Sequence, residues 1–180
     1  MGWISSLWKR LKPSGELNEL SPESLRSLED LVSYRFQNTD LLVKALKHRS
    51  YVYARQGSGI ESNERLEFLG DAVLDLLVAE FLFLRFEDKR EGDLTQMKSL
   101  LVSRTVLARQ AHRLGLDAFV LLSAEERDAG GGKQPSILCD AFESLIGAMY
   151  LDGGLGVCRT FVQAAVLDDF HELIKEDDYI

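Results

Sequence analysis

A chain of 180 residues suits one domain, at most with a short appendage, and has room for a full hydrophobic core. Its formal net charge of −8 excludes a general basic footprint for nucleic-acid phosphates. Two cysteines, Cys139 and Cys158, with no CxxC spacing, exclude a disulfide framework and leave zinc unexpected; no apolar run reaches the ~20 residues that span a bilayer, so a soluble, cytoplasmic protein with reduced thiols is expected.

Residues 1–20 form an amphipathic arm in which Trp3, Ile4, Leu7, Trp8 and Leu11 share one helical face, with Lys9, Arg10 and Lys12 elsewhere. Membrane contact by this arm is not expected, because short terminal arms more often fray or fold back on their own domain. Pro13, Ser14 and Gly15 end it. Ser21 as N-cap and Pro22 at the first helical position then open a helix marked by Leu25, Leu28, Leu31 and Val32. Asn38 or Thr39 caps the next, with Leu41, Leu42, Ala45 and Leu46 periodic, leading to His48-Arg49-Ser50-Tyr51 and a glycine-containing loop over 56–62.

From Asn63 to Phe81 apolar residues point in nearly every direction, interrupted by Glu64, Glu67, Asp71 and Asp75 at successive turns of one face. The pattern predicts a helix surrounded by protein and bearing an acidic stripe. A charged connector over 87–93 precedes a helix at Leu94, Met97, Leu100 and Leu101. Ser103 is placed to restart it before Leu107, Ala108, Ala111 and Leu114, and Gly115 to stop it. Glu125 to Gln134, with glycines at 130–132, is expected to be a flexible loop. Ser136 to Leu151 repeats the acidic-helix pattern, with Asp140 and Glu143 on one face. Asp152-Gly153-Gly154 breaks it, and a last helix follows through Val157, Phe161 and Leu167. No strand pattern is found, so the fold class is all-α.

Carboxylates withdrawn from water require a cation or hydrogen bonds. Mg²⁺ or Mn²⁺ suits an all-oxygen set supplied by Glu67, Asp71, Asp140 and Glu143, and such centres perform phosphoryl chemistry. Ion pairs with Arg65, Lys98 and Arg104 would offset the same cost, and the pattern leaves both open.

Glu64-Arg65-Leu66-Glu67-Phe68-Leu69-Gly70-Asp71-Ala72-Val73-Leu74 resembles the signature of the ribonuclease III family, endonucleases that cleave double-stranded RNA. Leu46 to Tyr51, Arg90 to Leu94 with Lys98 and Ser103, and Asp140 to Ala148 agree in order and spacing, so the resemblance covers roughly residues 22 to 175. It implies the helical endonuclease fold of that family over 21–176, acting as a homodimer. Glu67, Asp71, Asp140 and Glu143 would be ligands of Mg²⁺, for which Mn²⁺ could substitute, with Asp71 and Glu143 catalytic. Glu64 and Glu91 would serve RNA binding and processing, and Phe68 would be a dimer contact. Asp75 matches no role, so a solvent or salt-bridge position is expected for it.

The implied reaction is hydrolysis of double-stranded RNA to 5′-phosphate and 3′-hydroxyl ends with short 3′ overhangs, in RNA processing. A catalytically silent RNA-binding or ribosome-associated module with the same fold is the alternative, and an acidic helical scaffold binding protein partners without metal is a third. Residues 177–180 resemble the start of a linker to a double-stranded-RNA-binding domain. The expectation is therefore a truncated or naturally short form with weak, salt-sensitive RNA affinity.

Overall fold

Serine and asparagine caps divide the chain into helices where the sequence places them in the computed structural model, which describes residues 20–168 and 170. The amphipathic face of the arm and the linker over 177–180 lie outside the described residues. Ser21 accepts from Ser24 N at the start of α1 (Pro22–Leu31), and Asn38 accepts from Asp40 N at the start of α2 (Thr39–Ala45). His48 caps α3 (Arg49–Ala54), its Nδ1 accepting from Ser50 N at 3.3 Å. A 3-10 turn at Gly59–Glu61 leads into α4 (Glu64–Arg85). α5 (Glu91–Leu101) and α6 (Arg104–Arg113) are separate helices, because Ser103 leaves helical geometry and accepts from Val106 N.

The expected flexible loop over 125–134 is instead a short helix, α7 (Ala124–Asp128), followed by a 3-10 turn at Gly131–Lys133. The reason is local: Ser123 caps α7 by accepting from Glu126 N, and the Arg127 guanidinium donates to the Val120 carbonyl. Among the described residues the only extended pairing is a parallel bridge between Lys47 and Leu121.

α8 (Pro135–Val162) runs through the centre. It is interrupted at Gly154, whose φ of 78° only glycine adopts without strain, and it continues into a π turn at Gln163–Leu167. Asp152 ties this kink to the α1–α2 connection, accepting from Tyr34 Oη at 2.7 Å and from the Gln37 and Asn38 amides at 2.8 Å each. Burial opposes its charge, but these three bonds outweigh that and hold its carboxyl below the ordinary aspartate range. Phe142, Leu145, Ile146, Ala148 and Met149 have no exposed surface. Each of the large ones contributes about 1.5–3 kcal/mol by leaving water. By length and composition Pro135–Leu167 is apolar enough to cross a membrane, as the core helix of a globular domain can be, and it packs against α2, α4 and α6.

α4 packs on α8 at backbone contact. A Cβ placed on Gly70 would lie 1.7 Å from the Glu143 carbonyl oxygen, and one on Gly147 would lie 2.2 Å from that of Leu66. The expectation that protein surrounds α4 does not hold for the single chain. Phe68 is 81% exposed, Leu76 55% and Phe83 70%, and with Ala72 and Ala79 they form one uncovered apolar stripe. Among the described residues no other element covers that stripe.

The glycine crossing yields a prediction whose sign opposes helix propensity. Alanine is about 1 kcal/mol better than glycine inside a helix, yet Gly70→Ala should destabilise the fold by at least about 3 kcal/mol, because two backbones must separate. Urea unfolding reads this directly, and a change within about 0.5 kcal/mol would refute the packing account.

A candidate metal centre between two acidic helices

The glycine crossing brings the acidic faces of α4 and α8 together. Glu67 and Asp71 flank Gly70 on one helix, and Glu143, whose carbonyl abuts Gly70, lies a turn after Asp140 on the other. Ser144 fixes the register: buried, its Oγ lies 2.6 Å from the Asp140 carbonyl and 3.2 Å from that of Asn63 at the head of α4. Asn63 in turn donates its amide to the Lys47 carbonyl at 2.8 Å, and Leu121 donates to the Leu46 carbonyl at 2.8 Å. The segment around His48 is thereby pinned beside the acidic pair.

Burial among like charges shows in the carboxyl groups. Glu143, 9% exposed, is pushed up to about 7, first by burial and then by Asp71, Glu67 and Asp140. Glu67 is raised by burial and by Asp140, Glu64 and Asp71, with Arg104 opposing. Asp140 is raised by burial, against the pull of Arg104, His48 and Arg49. Burial itself lowers His48, chiefly against Glu126. The five carboxylates Glu64, Glu67, Asp71, Asp140 and Glu143 therefore share one electrostatic neighbourhood.

That neighbourhood is wetter than the sequence suggests. Glu64 and Asp71 are exposed, Glu67 and Asp140 half-buried, and only Glu143 is buried. α4 lies at the protein surface, so its acidic stripe borders water instead of lying inside the core. Among the described residues no lysine or arginine pairs with Glu67, Asp71, Asp140 or Glu143, so the ion-pair alternative is not realised there. It is realised at Asp75, which Lys98 on α5 pairs at 2.6 Å. Glu64 sits 3.8 Å from Arg49 and 3.0 Å from Ser62 Oγ. Glu91 does not join the group: it is exposed in the first turn of α5, accepting from Thr95 Oγ1. Phe68 faces outward, away from the core.

Glu67, Asp71, Asp140 and Glu143 offer oxygen donors of the kind a hard divalent ion takes; Arg104 draws on Glu67 and Asp140 without pairing either, and the tight donor group among the described residues is Cys139, Asp140 and Glu143, within 4.8 Å of one another. Cys139 was read from the sequence only as a reduced thiol. Its Sγ lies 3.7 Å from Glu143 Oε1, and burial drives its ionisation well above the ordinary thiol range. The signal was present in the i, i+4 spacing from Cys139 to Glu143.

Without metal, the folded chain keeps the Glu143 proton to about pH 7, whereas the unfolded chain releases it near 4.5. The metal-free fold therefore loses stability as pH rises between those values. Glu143→Gln should be more stable than wild type by roughly 1–3 kcal/mol at pH 8 and no more stable at pH 4, read by urea unfolding in chelator. Equal stability at both would refute the buried-charge account.

Comparison with known proteins agrees with this arrangement. A family model described as Ribonuclease-III-like matches residues 38–170. A protein named Ribonuclease 3 from Oleidesulfovibrio alaskensis is 52% identical over 127 residues, covering 71% of this chain and 55% of the relative. The chain spans 55–61% of the length of the curated relatives it matches. The crystal structure of the nuclease domain of ribonuclease III from Campylobacter jejuni has a TM-score of 0.72 at 39% identity, covering 86% of this chain and 97% of that one. A second structure of that domain, concerned with structural flexibility in a region involved in dimer formation, gives 0.72 at 39% over 87% and 99%. With most of its length matched in sequence and in fold, the chain belongs to the ribonuclease III family.

Proposed function

We propose that this chain is the endonuclease domain of a homodimeric, cytoplasmic enzyme that hydrolyses double-stranded RNA in RNA processing, leaving 5′-phosphate and 3′-hydroxyl ends with short 3′ overhangs. The observation that carries this reading is the carboxylate cluster at the crossing of two helices, which no described lysine or arginine pairs, in a chain of this family. Glu67 and Asp71 from α4, with Asp140 and Glu143 from α8, hold Mg²⁺, for which Mn²⁺ can substitute. Such an ion, when bound, would supply Lewis-acid activation of water and of the phosphate. Glu143 and Asp71 are the residues whose carboxylates act closest to the reacting phosphate.

Glu64, at the rim beside Arg49, and Glu91, in the first turn of α5, serve RNA binding and processing. The stripe of Phe68, Ala72, Leu76, Ala79 and Phe83 packs against a second copy, which supports the dimer because large exposed apolar patches mark interaction sites. Two copies form a valley for an A-form duplex, recognised by its shape and 2′-hydroxyls. Both cysteines are buried and free, as suits a reducing cytoplasm.

Incubation with long duplex RNA and Mg²⁺ tests the activity. The wild type should cut and stop on chelation, and Glu143→Gln should lose roughly 10²-fold or more; no cutting, or equal cutting by both, would favour the silent module instead. Phe68→Asp should shift sedimentation at micromolar concentration from dimer to monomer while leaving the helical content intact. A wild type that is only monomeric under those conditions would refute the dimer.

A further inference from the structure

The chain carries a net charge of −8 and its candidate centre is a group of carboxylates, so nucleic-acid phosphates are repelled there unless cations stand close by. Two arginines do. Arg49 opens α3 and Arg104 opens α6, each directly after the residue that caps its helix, His48 and Ser103. Both helix starts are anchored. His48 donates its amide to the Leu121 carbonyl at 3.1 Å; Ser103 Oγ accepts from Val106 N at 3.3 Å, and α6 packs on α8, the helix of Asp140 and Glu143. Both arginine side chains are exposed. Arg49 stands 3.8 Å from Glu64, in a pair whose side chains are 63% and 46% exposed and which water therefore weakens. Arg104 pairs with neither Glu67 nor Asp140, although its charge is felt at both, and Asp140 feels Arg49 as well. A guanidinium committed to a close carboxylate has little left to offer; these two keep their forks of N–H donors, which match phosphate oxygens in geometry.

We propose that Arg49 and Arg104, at the anchored starts of α3 and α6, are phosphate-binding residues that hold backbone phosphates of the RNA next to the one at the carboxylate cluster. Phosphate contacts fix where a duplex lies and carry no sequence information, so the two arginines set register without selecting bases. They hold the RNA equally before and during bond breaking, which lowers KM and leaves kcat alone. The inference deepens the function proposed above and rests on the cluster being the place where RNA lies.

The test compares wild type, Arg49→Ala, Arg104→Ala, the double variant and Arg104→Lys. Cleavage of one duplex RNA is followed in Mg²⁺ over a range of KCl concentrations, with Mg²⁺ affinity read by calorimetry. Each alanine should raise KM about tenfold, the worth of one charge-assisted contact, with kcat and Mg²⁺ affinity unchanged. The slope of log KM against log salt should fall by about one for each arginine removed and by about two in the double variant. Arg104→Lys should keep the slope and recover only part of the affinity, because an ammonium is a point charge without the fork. Unchanged KM and slope would overturn the proposal. So would a loss confined to kcat together with altered Mg²⁺ affinity, since the arginines would then act on the carboxylates and not on RNA. Anisotropy of a labelled duplex, with the same variants in a Glu143→Gln background, reads binding apart from cutting. A wild type that cuts nothing, with binding weakened and the slope reduced by the arginine changes, would refute the cleavage assignment while upholding this one.

Discussion

The contact on which everything else depends is that of two backbones at Gly70 and Gly147. Helix axes separated by ordinary side chains stand 8–10 Å apart; here the Glu143 carbonyl fills the space where a side chain of residue 70 would begin. That closeness brings short acidic side chains from both helices into one electrostatic neighbourhood, and it also lets Ser144 reach the Asn63 carbonyl and lock the rotation of α8 relative to α4. The same crossing sets the packing and gathers the carboxylates, so neither glycine belongs to only one of them.

The centre itself opposes folding. Burial and mutual repulsion raise Glu67, Asp140 and Glu143, and what offsets this is packing elsewhere, in the fully buried Phe142, Leu145, Ile146 and Met149 one or two turns along the same helix. Asp75 marks the contrast. One turn beyond Asp71 on α4, it has its own lysine at 2.6 Å and behaves as a structural ion pair. Along one face of one helix, Asp75 is held by a close ion pair, while Glu67, which no described cation pairs, is raised by burial and like charge.

Much of this was legible in the sequence because it was written in local spacing. Ser21, Asn38 and Ser103 announce helix starts through short-range hydrogen bonds and Pro22 through its fixed φ, and the structure has each of them at a helix start. Glu67, Asp71, Asp140 and Glu143 were identifiable as two acidic faces for the same reason. What failed depends on distant partners. α7 was hidden because its glycine-rich flank suggests a loop while its cap and the Arg127 contact with Val120 stabilise a turn of helix. Phe68, Leu76 and Phe83 look in sequence like Leu74 or Leu77, since burial depends on what lies opposite and not on the residue. The Lys98–Asp75 pair was one of several available pairings, and only the approach of α5 to α4 selects it.

Asp152 closes the chain over a long distance. Its bonds to Tyr34, Gln37 and Asn38 span 118, 115 and 114 residues, and α2 likewise packs on α8. Loop closure on that scale consumes entropy before any contact offsets it, so α1 and α2 gain these contacts only once α8 exists. Synthesis makes α1 and α2 well before α8; assembly fixes them late. On a ribosome they emerge as a segment waiting for its binding surface, and the kink at Gly154 acts as the latch that ends the wait.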